Sequence, residues 1–163
     1  MNVAQWSLAQ GSSQAGRTAV VTGANTGVGL EVARGLAVLG ATVVLACRNT
    51  DAADAARRDI HRSAPQARIE VVHLDVSDLS SVRDCAAQLR AGYPVIDILV
   101  NNAGVMHQTR QLTADGFEGD FGTNFLGPFA LTGLLLDRLL ASAAGRIIAV
   151  SSKTHRSESF LGT

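Results

Sequence analysis

The chain has 163 residues, fourteen basic and fourteen acidic, so its zero formal charge implies neither a nucleic-acid surface nor an anionic-membrane surface. Apolar residues reach 47% and aromatic ones only 4%, which excludes a disordered chain and suits one packed α/β domain. Cys47 and Cys85 form no Cys-x-x-Cys pair, the four histidines lack metal-ligand spacing and no stretch is long and apolar enough to span a membrane; a soluble, cytoplasmic, metal-free protein is expected.

Residues 1–16 are polar and read as a flexible arm ahead of a domain over 17–163, with Trp6 and Leu8 as points of attachment. Thr18-Ala-Val-Val-Thr22 is apolar without alternation, as in a parallel strand covered on both faces. It feeds Gly23-Ala-Asn-Thr-Gly-Val-Gly29. Gly23 permits a backbone turn that a Cβ would forbid, while Gly27 and Gly29 clear space where a helix opens against the strand. The free N–H groups and positive dipole end at such a start suit a pyrophosphate. The spacing is Gly-x-x-x-Gly-x-Gly, not the commoner Gly-x-Gly-x-x-Gly, and alone it also fits an ordinary tight turn.

A helix over 27–39 follows, with Val28, Val32, Leu36 and Leu39 on one face and Gly40 as its stop. Residues 42–46 are the second strand, ending at Cys47-Arg48-Asn49, and an alanine-rich helix covers 51–62. The third strand, 69–74, ends at Asp75-Val76; Ser77 or Asp78 caps the next helix, where Leu79, Val82, Cys85, Ala86 and Leu89 share a face. The fourth strand, 96–100, runs into Asn101-Asn-Ala-Gly104. A helical region over 116–141 contains Pro128, as a kink or a first turn. The fifth strand, 146–150, ends at Ser151-Ser152.

This alternation predicts an α/β fold, a doubly wound parallel sheet of Rossmann type that stops after strand five. In such sheets ligands bind beyond the carboxyl ends of the strands. Gly23, Arg48, Asp75, Asn102 and Ser152 all fall at such ends.

With these residues in place the sequence resembles the short-chain dehydrogenase/reductase family, compact type. Thr22-Gly-Ala-Asn-Thr-Gly-Val-Gly29 is similar to its cofactor loop, so Gly23, Asn25, Thr26, Gly27, Val28 and Gly29 become candidate cofactor contacts. Asn101-Asn-Ala-Gly104 resembles its sheet-stabilising motif, which adds Asn102, Ala103 and Gly104. Asp75-Val76 matches the adenine-side aspartate, Asn124 the helix asparagine and Ser152 the serine ending strand five. Leu45-Ala-Cys-Arg-Asn49 and Asn124-Phe-Leu-Gly-Pro-Phe129 resemble the branch of retinol-dehydrogenase-like and WW-domain-oxidoreductase-like proteins.

The resemblance implies hydride transfer between a nicotinamide cofactor and a small-molecule alcohol or carbonyl, with Ser152 orienting the substrate oxygen and Asn124 supporting a proton path. It also implies a Tyr-x-x-x-Lys pair, the lysine making the phenol acidic enough to work. Tyr93 and Lys153, the only tyrosine and lysine, are not four apart. The chain therefore reads as the cofactor-binding portion of an oxidoreductase, expected to be catalytically incomplete. Arg48 follows strand two where an acid would select a 2′-hydroxyl; a guanidinium there pairs with a 2′-phosphate and favours NADP(H) over NAD(H).

The competing readings are a non-enzymatic dinucleotide-binding or interaction protein and a methyltransferase with a similar sheet. Gly27 and Gly29 at the helix start, with Arg48, speak against the last. In the family strand five is interior, so Ile147, Ile148 and Val150 are expected on an exposed edge that promotes self-association.

Overall fold

Each β-branched apolar run forms a strand, and each stretch with helical periodicity between them forms a helix. A computed structural model describes residues 7–152. In chain order these are β1 (Thr18–Thr22), α1 (Gly27–Val38), β2 (Thr42–Cys47), α2 (Thr50–Ser63), β3 (Ile69–His73), α3 (Leu79–Gly92) and β4 (Ile98–Asn101). There follow a short turn α4 (Gly119–Phe121), a π-helical segment (Gly122–Leu126), α5 (Gly127–Leu140) and β5 (Arg146–Ala149). The strands make one parallel sheet in the order β3-β2-β1-β4-β5, the Rossmann arrangement expected from the alternation.

Two apolar layers hold the helices to the sheet. Val20, Val44, Leu99, Val82, Leu89, Leu131 and Leu135 pack together on the α3 and α5 side. Ala19, Val21, Val43, Leu45, Ala53 and Ile60 pack on the α1 and α2 side. Successive residues of β1 thus enter opposite layers, which is why the strand is apolar throughout. Asp97 fastens the amino ends, accepting from the Thr18 N–H at 2.8 Å and the Ser142 hydroxyl at 2.6 Å.

Three features differ from the expectations or refine them. The fully buried side of α1 is made of Gly29, Ala33 and Ala37, while Val32 and Leu36 of the apolar stripe are half-buried against the same layer. Small residues let the helix axis approach β1 closely, and of the larger apolar residues Val28, at the start of the stripe, is left 63% exposed. The region over 116–141 is not one helix. Its backbone widens at the π-helical segment, where the Gly127 N–H reaches back five residues to the Gly122 carbonyl. Pro128 then lies in the first turn of α5, where a missing N–H is harmless. Finally, Asp78, not Ser77, caps α3, accepting from the Ser80 and Ser81 N–H groups.

At the sheet edge, every residue of β5 is exposed. Ile147, Ile148 and Val150 are 49%, 45% and 44% exposed, as expected for an uncovered strand five. Phe121, Phe125 and Phe129 form a ladder of stacked rings on the outer surface of the neighbouring helical region, with centroids 5.3 and 5.9 Å apart. Trp6, Lys153, His155, Arg156, Phe160 and Leu161 lie outside the described residues.

Candidate active site

The carboxyl ends of β1, β2, β3 and β4 open into a cleft of about 320 Å³. Gly23, Asn25, Thr26, Arg48, Asp75, Val76, Asn102, Ala103 and Gly104 line it. Gly27, Val28 and Gly29 do not: Gly27 and Val28 face the outer side of α1, and Gly29 is buried behind the turn. Asn49, Leu74, Val105 and Thr123 also line the cleft and were missed in the sequence. Each is a chain neighbour of a recognised residue, which is the only signal that marks it.

The turn after β1 is built around Asn102. Its amide Nδ2 donates to the Thr22 carbonyl at 2.9 Å and the Gly23 carbonyl at 3.3 Å. Gly23 takes φ +63° and Gly27 φ +57°, angles open to glycine and costly for other residues. A Cβ on Gly29 would collide with the Asn102 side chain and lie 2.6 Å from the Gly23 carbonyl oxygen, so this position admits only glycine. Beneath the turn, the buried Thr22 hydroxyl donates to the Val100 carbonyl at 3.3 Å and accepts from the Asn102 and Ala103 N–H groups at 3.0 and 2.9 Å. One hydroxyl therefore joins the glycine turn to the loop after β4.

At the start of α1, Thr26 is extended and its side chain makes no capping bond, so the first N–H groups of the helix keep their capacity for an anion. Arg48 projects with 73% of its side chain exposed, its guanidinium 3.8 Å from one Asp75 oxygen. The other Asp75 oxygen accepts from the Ser77 N–H and hydroxyl at 2.9 and 2.6 Å. Asp75 thus also shapes the local turn. Cys47, beside this cleft, is buried in the α1-side layer and its thiol is pushed up by burial, which makes it a filler and not a nucleophile.

A second cleft, of about 830 Å³, begins across the 102–105 backbone and is bounded by α5 and the end of β5. Asn124 and Ser152 line it, together with Met106, Phe125 and Phe129. Asn124 is held at both ends of its amide: Oδ1 accepts from the Val105 N–H and Nδ2 donates to the Val105 carbonyl, each at 2.8 Å. The π-helical segment places Asn124 in this position, and Gly104 and Gly127 permit the approach. A Cβ on Gly104 would lie 3.1 Å from Asn124 Oδ1, and one on Gly127 would overlap the Val76 carbonyl. The two clefts share Asn102, Ala103, Gly104 and Val105 as a common wall.

Tyr93 is remote from both clefts. It precedes β4 and packs with Leu89 and Ile96 in the α3-side layer, where burial raises its phenol above the ordinary value. Among the described residues no three His, Cys, Asp or Glu side chains gather as a metal site, and no helix is long and apolar enough to cross a membrane.

A parallel sheet in this order, with a glycine turn opening α1 at the strand ends, defines a Rossmann nucleotide-binding protein. Residues 17–162 match the short chain dehydrogenase family, and the chain belongs to that family. Human retinol dehydrogenase 13 is 47% identical over 140 residues, covering 86% of this chain and 42% of that protein. Short-chain dehydrogenase TIC 32 B, chloroplastic, of Brassica napus is 46% identical over 143 residues, covering 85% and 45%. Among solved structures, an uncharacterized Mycobacterium paratuberculosis protein is 47% identical with a TM-score of 0.79, covering 92% of this chain and 51% of that one. A metagenomic short-chain oxidoreductase in complex with NADP is 32% identical with a TM-score of 0.78, covering 90% and 66%. The chain thus spans less than half the length of these curated relatives.

Proposed function

We propose that this chain is the cofactor-binding portion of an NADP(H)-dependent short-chain alcohol dehydrogenase or carbonyl reductase. The observation that carries the reading is the first cleft: a glycine turn, an uncapped helix start and an unburied arginine converge on one elongated space at four strand ends. These residues fit a dinucleotide. The positions where Gly23 and Gly29 lack a Cβ keep the turn close to the 102–103 backbone, and the N–H groups of α1 supply donors for a pyrophosphate. Arg48 meets a 2′-phosphate, and no acid ends β2 to repel it. Asp75 and Val76 border the adenine end, and 102–104 border the ribose nearer the second cleft.

The bound nicotinamide supplies the hydride chemistry. This chain's residues orient and polarise: Ser152 stands at the end of β5 toward the substrate oxygen, and Asn124 fixes the loop that separates the two clefts. No described residue supplies the proton. Tyr93 is buried at the wrong end of β4, so turnover requires an acid from outside the described residues, and the second cleft takes the alcohol or carbonyl compound only in the complete enzyme. The buried tyrosine also favours a second reading, a nucleotide-binding protein that binds without turnover. In either case the exposed β5 edge pairs with another chain or segment, and the isolated chain self-associates in a concentration-dependent manner on sedimentation.

Titration with NADPH and NADH tests the cofactor assignment. A charge-assisted bond from Arg48 contributes about 1.5–3 kcal/mol, so Arg48→Ala weakens NADPH binding by roughly tenfold or more and leaves NADH unchanged. Equal affinities in the parent protein, or a preference unaltered by the substitution, overturns the assignment. Carbonyl reduction by this chain at an ordinary enzymatic rate overturns the reading of the chain as catalytically incomplete.

A further inference from the structure

At its Asp75 end the first cleft adjoins a smaller cavity of about 160 Å³, between the turn after β3 and the loop after β4. Arg48, Val105 and Thr123 line both spaces, while Ser77 and His107 line only the smaller one. Other hydroxyls around it are already engaged. The Ser77 hydroxyl lies 2.6 Å from the Asp75 carboxylate, and the Thr113 hydroxyl accepts from the Phe117 N–H at 3.2 Å.

His107 is placed differently. Its Nδ1 lies 2.6 Å from Asp120 Oδ1, and its backbone N–H donates to the same oxygen at 3.1 Å. An ionised carboxylate can only accept, so Nδ1 carries the ring proton and the neutral imidazole keeps its lone pair on Nε2. Among the described residues that Nε2 has no hydrogen-bond partner. The ring is closely seated, because a Cβ on Gly119 would stand 3.2 Å from Nδ1 and 3.3 Å from Cε1. Asp120 is held in turn: the Glu118 carboxylate accepts from the Asp120 and Phe121 N–H groups at 3.0 and 2.7 Å. Residues 118–120 thus position one imidazole whose remaining polar atom is an acceptor.

We propose, on the dinucleotide reading of the first cleft, that His107 Nε2 accepts a hydrogen bond from the exocyclic amino group of the adenine. That group carries two N–H bonds. Asp75 lines the first space and His107 the second, so one carboxylate and one imidazole serve the two hydrogens of a base lodged where the spaces meet. A purine with an oxygen at position six would turn an acceptor toward both of them. The cleft therefore selects the base as well as the ribose phosphate, and His107 determines part of that selection. A latch tying the loop to α4 would be a simpler use of the His107–Asp120 pair. His107→Asn separates the two roles, because the asparagine amide keeps a donor for Asp120 and removes Nε2.

Dissociation constants for NADPH and its 6-oxo, hypoxanthine analogue are measured in mildly alkaline buffer, where neutral imidazole is the ordinary form. The parent protein is expected to bind NADPH the more tightly. His107→Asn, shown by circular dichroism and thermal melting to be folded, is expected to lower that preference by about threefold to tenfold, as for one uncharged hydrogen bond. Should the variant not fold, nitrogen resonances of the parent protein decide the matter: the His107 Nε2 signal is expected to move on addition of NADPH and to stay in place with the analogue. Equal affinities in the parent, an unchanged preference in folded His107→Asn, which leaves the amino group to Asp75 alone, or an Nε2 signal that NADPH does not move overturns the proposal. Failure of the underlying reading looks different: neither nucleotide then binds, and the proposal falls with it.

Discussion

The two clefts share a wall but not a degree of completion. The first is enclosed by the ends of four strands, and β1, β2 and β4 are buried along almost their whole length. The second is bounded on one side by β5, of which every residue is exposed, and by an aromatic ladder open to solvent. Under the proposed reading, the adenosine side of a dinucleotide meets a surface already fixed by packing, whereas the nicotinamide and substrate side meets a more open one. Rigidity where the cofactor is gripped does not require the reaction centre to be assembled.

The sharpest way to break the contrast is to cut equivalent methyl groups from neighbouring strands. Leu99 in β4 is fully buried, and Leu99→Ala should cost about 2–5 kcal/mol in chemical denaturation. Ile148 is 45% exposed in β5, and Ile148→Ala should cost less than about 1 kcal/mol. Comparable losses would mean that another copy or segment already covers the β5 edge in solution.

A smaller effect is expected at the shared wall. Asn102→Ala removes the donor serving the Thr22 and Gly23 carbonyls and should cost about 1–3 kcal/mol. Cofactor affinity should fall with it, because the glycine turn loses its tie to the loop after β4. Unchanged affinity in a folded Asn102→Ala protein would show that the turn holds its shape unaided.

The smallest effect is one of pH. The Ser80 hydroxyl and the Ser80 and Ser81 N–H groups hold the Asp78 carboxylate below its ordinary value of 3.8. Because the folded value is depressed, this stabilisation is complete above pH 3.8 and is lost as pH falls through the folded value. A modest fall in Tm below that pH, absent in Asp78→Asn, is the expected outcome of a thermal scan.

Much of this arrangement was legible in the sequence, for reasons that also explain the gaps. Strand ends could be read because two-sided burial makes a parallel strand apolar and its next polar residue abrupt, as at Thr22 and Arg48. Periodicity correctly marked the Val82, Cys85, Ala86 and Leu89 side of α3, where the core takes large groups. In α1 it marked the Val28, Val32, Leu36 and Leu39 face but not the fully buried positions, because closeness to β1 selects Gly29, Ala33 and Ala37 there and hydrophobic bulk does not signal them. The π-helical segment left no trace in periodicity. It arises from a long-range fit, in which Asn124 clasps Val105 while Gly127 slides under Val76, and no local propensity encodes that.

Thr22 sets a particular limit on how this chain can vary. Valine matches threonine closely in shape and would fill the same buried volume at the end of β1. It would nevertheless leave the Ala103 N–H facing a methyl group instead of an oxygen, and the Asn102 N–H with the Val100 carbonyl alone. Serine, although smaller, keeps the oxygen. Drift at this position is governed by the count of acceptors and not by the fit of surfaces, so the substitution that looks gentler in volume is the harsher one in chemistry.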